Sequence, residues 1–223
     1  MALGPNTAAP FAARPKVIAN AVVSVIWLTL LFFGFRSVWK YEATAGATGP
    51  APTQWPAGAP VSFDPARSNL VMLAHPKCPC TRASVAELTR LLTQAHGALT
   101  ASVLFYTPTG EAGWENEGLW KTVAAIPGVQ VAADPDGIWA QRFGAETSGQ
   151  VVLFDRRGQI LFRGGITGAR GHEGDNAGEN IVLALALGQA GSDASTPRET
   201  PVFGCEIFSP EAHPEKPSLT SLP

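Results

Sequence analysis

Apolar positions form one long unbroken block near the N-terminus and a series of short blocks further on, and the two arrangements predict different things. Val17 to Phe35 carries no charge. At ~1.5 Å per residue, a helix over this stretch comes close to the ~30 Å hydrocarbon core of a bilayer. Arg14 and Lys16 precede it, and Trp39 and Tyr41 follow it where amphipathic aromatics favour the interface. The block has no polar face, which argues against a helix packed in a soluble core. Ala43-Thr44-Ala45 resembles a small-residue signal cleavage site. However, Arg36 and Lys40 intervene, and the apolar block is longer than a signal core. The expectation is a retained transmembrane anchor over 17–35, with the short segment 1–16 inside and everything after Lys40 exported.

The short blocks begin after a linker, 36–67, whose Ala, Gly, Pro and Thr between 43 and 60 lack apolar periodicity and predict a flexible tether. Asn69–Ala74 is a continuous apolar run suited to a buried strand. Pro79 then opens a helix with Val85, Leu88, Leu91, Leu92 and Ala95 on one face, stopped by Gly97. Strands are predicted over 101–106 and 129–132, with helices over 114–125 and 134–143. Residues 151–154 and 159–162 read as a hairpin through Asp155-Arg156-Arg157-Gly158. A Gly-rich loop, 164–178, leads to a last helix over 177–187. The folded part is therefore 68–190. Beyond it, 191–223 is a Ser, Thr and Pro tail with one apolar island, Val202-Phe203-Gly204-Cys205, expected to dock on the domain.

This alternation implies an α/β fold in which right-handed crossovers join parallel strands and a closing hairpin makes the sheet mixed. Charge changes the picture only by exclusion. Charged residues are 15% of the chain and the net charge is −2, without a long basic run, so nucleic acid is not an expected partner.

Candidate chemistry centres on His75-Pro76-Lys77-Cys78-Pro79-Cys80. With Pro79 at the first helical position, Cys78 is expected at the N-cap and Cys80 in the first turn. A Cys78 thiolate there would accept free backbone N–H groups and feel the helix dipole, with Lys77 as a nearby cation. Cys78 is therefore the expected attacking thiol and Cys80 the expected resolving one. A disulfide across a single intervening residue is strained and easily reduced. This leaves Cys205, the third of only three cysteines, as an alternative partner. About fifteen residues separate Cys205 from the last helix, and at ~3.3 Å each they can reach back to the cysteine turn.

A cysteine pair just after the first strand, in this order of elements, resembles the thioredoxin superfamily. The extra strand and helix before the hairpin are similar to TlpA-type and peroxiredoxin-type branches, and membrane-anchored members of the TlpA or RedB kind fit best. The resemblance covers 68–190. It implies a thioredoxin-like mixed sheet flanked by helices, with the cysteine turn at the C-terminal end of the first strand. It also brings to that edge the segment before the hairpin, where the family has a cis-proline. This chain has Thr147-Ser148-Gly149 instead, and Gly149 is expected to allow a close backbone approach by substrate or metal. The family more often has two residues between its cysteines, so this site departs from the pattern twice.

Two functions of different class follow. The first is membrane-tethered thiol–disulfide exchange on exported protein thiols or disulfides, by Cys78 with Cys80 or Cys205 and without a cofactor. His75, Lys77, Pro79, Ser148, Gly149 and His172 are its supporting residues. The alternative is a thioredoxin-like copper-binding or metal-delivery protein, with Cys78 and Cys80 as soft ligands and His75 and His172 adding imidazole. Peroxide reduction and a non-catalytic scaffold rank below these. The 164–178 loop carries Arg170, His172, Glu173 and Asp175 and is a candidate lid.

Overall fold

A computed structural model describes residues 15–189 and 196–208. The expectations placed on 1–14, 190–195 and 209–223 lie outside the described residues. The chain divides into a helical unit ending at Tyr41 and a compact unit starting at Glu42.

Helix α1 runs from Pro15 to Ala43 and is longer than the apolar block alone, because no Gly or Pro interrupts the residues after Phe35. Its most apolar 18-residue window has a mean hydropathy of 2.2 and is unburied. Among the described residues it is the one helix long and apolar enough to cross a membrane.

The second unit is built on a mixed sheet in the order β3-β2-β1-β4-β5-β6. Strand β1 (Ser68–Ala74) is central and all seven of its residues are buried. It pairs in parallel with β2 (Leu99–Thr107), which pairs in parallel with β3 (Val129–Pro135). On its other side β1 meets β4 (Gln150–Phe154) antiparallel, and β4 forms the expected hairpin with β5 (Ile160–Gly164). Alternate residues of β1 serve opposite faces. Leu70, Met72 and Ala74 join one core with Val85, Leu88 and Leu91 of α2 (Thr81–Gln94) and Val182 of α5 (Ala177–Ala186). Val71 and Leu73 join a second core with Ala140 and Phe143 of α4 (Ile138–Phe143).

Four local expectations are corrected. Residues 114–125 split into a 3-10 turn, Trp114–Asn116, and α3, Gly118–Ala124, because Gly113 and Glu117 leave helical geometry. Strand β3 continues to Pro135 and delays α4 to Ile138, whose N-terminus is held by the Asp134 carboxylate accepting the Trp139 and Ala140 N–H groups at 2.7 and 2.8 Å. The 43–60 tether is not free. Trp55 packs edge-to-face on Phe143 and Phe154 and tilted against Phe63, Val61 just beyond the segment is buried, and Thr53 and Trp55 form backbone hydrogen bonds with Ile160 and Gly158. Its sparse apolar residues cap the second core, a pattern with no period to read. The tail, finally, supplies a strand: β6, Arg198–Glu199, lies parallel to β5, and Arg163 holds it by donating to Glu199 at 2.8 Å.

Candidate functional site

The cysteine turn leaves the buried end of β1. The Cys78 N–H donates to the His75 carbonyl at 3.0 Å, closing the turn. The helix begins two residues later than Pro79: α2 starts at Thr81 and Cys80, not Cys78, is its N-cap. The Arg82 and Ala83 N–H groups bond to the carbonyls of Pro79 and Cys80 with three-residue spacing, so a tight turn precedes the first α-helical bond. Cys78 is thereby set under the helix start and buried, while Cys80 is half-exposed.

Cys205 arrives from the other end of the chain. The strap 200–207 crosses the edge of the domain, with Val202 and Ile207 buried. The Ile207 N–H donates to the Glu146 carbonyl at 2.9 Å, and the Ser148 N–H donates to the Cys205 carbonyl at 2.8 Å. The Gly46 N–H donates to the Val202 carbonyl at 2.8 Å, so the segment before the domain and the strap after it brace each other. Gly204 allows this fit, since a Cβ there would lie 2.0 Å from the Ser148 carbonyl oxygen. The result is a cluster in which the sulfurs of Cys78, Cys80 and Cys205 all lie within 4.8 Å of one another.

The electrostatics single out Cys78. Its thiol is pulled down to about 4, first by a hydrogen bond from the Cys205 thiol. Burial works against this, and the Thr81 hydroxyl and the backbone N–H groups of Cys205 and Thr81 add to the lowering. Cys80 is pushed up by burial and by the charge on Cys78, with Arg170 opposing. Cys205 is pushed up because its proton is held in the bond to Cys78. One thiolate and two thiols therefore share the site at neutral pH.

Behind Cys78 runs a chain of hydroxyls. Thr81 Oγ1 lies 2.6 Å from Ser148 Oγ, which accepts the His75 N–H at 2.7 Å. With the Thr81 proton directed at Cys78, Ser148 is the donor to Thr81. Ser148 thus joins the hydroxyl network and, through its N–H, holds the strap.

The other supporting residues fall out differently from expectation. His75 is buried between aromatics, stacked on Tyr106 at 5.5 Å and edge-on to Trp114. Its Nδ1 accepts the Lys77 N–H at 3.2 Å, which puts the ring proton on Nε2. The Lys77 ammonium sits 4.0 Å from the centre of the Trp114 ring, so the lowering of Cys78 comes from Cys205 and Thr81. Gly149, at φ +90°, does make room for a close neighbour, but that neighbour is Ser84 of α2: a Cβ would meet its Oγ at 2.6 Å. His172 is exposed, with Nδ1 3.0 Å from the Arg170 carbonyl oxygen. The sulfur cluster includes neither histidine.

Arg170 is the loop residue that reaches the site, donating to the Gly204 carbonyl beside Cys205. Its loop is anchored to α2, where Glu87 accepts the Gly174 N–H at 2.7 Å, and Arg90 bridges Glu87 to Glu179 of α5. Sequence reasoning noted Arg170 without selecting it and missed Thr81. A hydroxyl residue directly after a Cys-x-Cys turn, at a helix start, was the available signal for Thr81. A cleft of about 580 Å³ lined by Glu146, Glu206 and Phe208 opens along the strap, and no cysteine lines it.

No family model matches this sequence, and no relative is matched among curated proteins. Solved structures do resemble it. A hypothetical protein of Sinorhizobium meliloti is 22% identical with a TM-score of 0.52, over 74% of this chain and 94% of that one. An uncharacterised conserved protein of Geobacillus kaustophilus is 16% identical with a TM-score of 0.55, over 74% and 95%. A putative thioredoxin of Neisseria meningitidis scores 0.44 at 16% identity, over 69% and 95%. The sheet order, with a cysteine turn joining its central strand to the following helix, is that of a thioredoxin-like fold.

Proposed function

We propose that this chain is a membrane-anchored thiol–disulfide oxidoreductase acting on exported protein substrates. The observation that carries the reading is the convergence of three sulfurs at the end of β1, with Cys78 provided with hydrogen-bond donors for a thiolate. The Cys78 thiolate attacks one sulfur of a substrate disulfide, forming a mixed disulfide and expelling the other substrate sulfur as a thiolate. Cys205 then loses its proton and attacks the Cys78 sulfur. The Cys78–Cys205 disulfide forms and the second substrate thiol leaves reduced. The substrate has gained two electrons and the protein has lost them.

Cys205 is favoured over Cys80 as the resolving thiol because it is the largest influence lowering the Cys78 thiol, and because a Cys78–Cys80 bridge would be strained across a single intervening residue. Stabilising the Cys78 thiolate stabilises the reduced form, so the pair favours the opposite net direction, donating its disulfide to substrate thiols. The apolar α1, with aromatics at its C-terminal end, supports a retained anchor.

The test is disulfide exchange with a model peptide by the detergent-solubilised full chain, followed by mapping of the oxidised protein by mass spectrometry. Exchange that is lost in Cys78→Ser, with a Cys78–Cys205 bridge in the wild type, is expected. Absence of exchange in the wild type, or its retention in Cys78→Ser, refutes the reading. A Cys78–Cys80 bridge alone refutes the role given to Cys205.

A further inference from the structure

A disulfide needs two sulfurs, and the site gathers three. They come from two segments far apart in sequence, and each is held by backbone contacts independent of its sulfur. Cys78 is fixed by the His75 carbonyl and Cys80 by the start of α2. Cys205 is fixed by the Ser148 N–H and the buried Val202 and Ile207. Sulfurs within 4.8 Å of one another can each approach a common central ion with little movement. Arg170, bonded beside Cys205, supplies a positive charge next to a set of anionic ligands.

We infer that, with all three cysteines reduced, Cys78, Cys80 and Cys205 form a trigonal thiolate site for a soft monovalent cation, copper(I). Soft thiolates select copper(I), whereas structural zinc takes four ligands in a tetrahedron. Among the described residues the cluster offers three ligand groups and no fourth. This goes beyond the exchange reading and excludes it only while the ion is bound, since a sulfur coordinated to metal is not free to attack a disulfide. Binding displaces whatever thiol protons the three cysteines carry and involves no net oxidation or reduction.

The experiment titrates the reduced, detergent-solubilised full chain with copper(I) against a colorimetric copper(I) chelator, without oxygen. One equivalent retained by the protein is expected, with X-ray absorption reporting three sulfur neighbours. Cys205→Ser should drop to two sulfur neighbours and lose at least about tenfold in affinity, about 1.4 kcal/mol. His172→Ala should bind as the wild type does. Circular dichroism of Cys205→Ser separates ligand loss from misfolding. If misfolded, Cys205→Ala and the wild-type sulfur count decide.

Failure of the wild type to retain copper against the chelator overturns the inference. So does wild-type affinity in a folded Cys205 variant, or tighter binding of zinc than of copper(I). Disulfide exchange measured on the metal-free protein fails or survives independently, so the two readings can be lost separately.

Discussion

The two halves of the sulfur site are held in contrasting ways. Cys78 and Cys80 lie on a turn between the central, fully buried strand β1 and helix α2, which packs in the first core. Cys205 lies on a strap that has almost no secondary structure and is seated by a few hydrogen bonds, two buried side chains and one glycine. Yet the strap contributes the largest single effect on the reactive sulfur. A rigid element thus places the nucleophile, while a remote and less regular one sets its acidity. Placement and activation are separable, and each can be removed while the other stays.

The largest expected effect removes the placed atom itself. Cys78→Ser should reduce exchange to the uncatalysed background while the variant still melts cooperatively as a folded domain. Peptide exchange and a melting curve measure the two. Next comes unseating the strap with Cys205 intact. In Gly204→Ala the new Cβ falls on the Ser148 carbonyl, so the strap must shift. Hydrogen bonds to a charged group are worth ~1.5–3 kcal/mol and one pKa unit is ~1.4 kcal/mol. Loss of the Cys205 thiol and N–H donors should then raise the Cys78 pKa by about two units, read from the ultraviolet absorbance of the thiolate. An unchanged midpoint would show that the strap does not activate Cys78.

The same contrast explains what was legible beforehand. The apolar block at 17–35 presents an uninterrupted apolar surface, the run 69–74 is buried on both faces of the sheet, and the leucines of α2 bury one face, so each leaves an unbroken or periodic apolar pattern in the sequence. Hence α1, the central strand and the cysteine turn could be read directly. The strap and the 36–67 linker bury isolated residues, Val61, Val202 and Ile207, and half-bury Trp55, in gaps left by other elements, so neither carries a period. The apolar island at 202–205 predicted docking, but not that docking would deliver Cys205 to Cys78. Pro79 suits a first helical position, but the tight turn at Pro79 and Cys80 delays the first α-helical bond, so the helix starts at Thr81. The charge of Lys77 and the imidazole of His172 point to the site in the sequence, but in the fold Lys77 lies over Trp114 and His172 lies against the Arg170 carbonyl.

A smaller effect tests the fixed half of the site. Thr81→Val keeps the shape and removes the hydroxyl donor to Cys78. The Cys78 pKa should rise by about one unit, less than for Gly204→Ala, with the strap undisturbed. If Thr81→Val has the larger effect, activation resides in the turn and the division between placement and activation fails.

The remaining effect is one of stability, and its sign follows from the lowered pKa. A group whose pKa falls on folding stabilises the folded state fully above its unfolded value and loses that contribution as pH drops through the folded value. For Cys78 the window runs from the ordinary thiol range, near 9.0, down to about 4. The reduced wild type should therefore exceed reduced Cys78→Ser in denaturant stability at pH 7, and the gap should narrow steadily toward pH 4. Gly204→Ala should show a smaller gap over a narrower window, because its thiolate has lost the strap's donors. Parallel denaturation series at several pH values measure all three proteins. A wild-type gap that is constant with pH would mean that Cys78 is not ionised in the folded protein, and with that the strap would lose its claim to any role in activation.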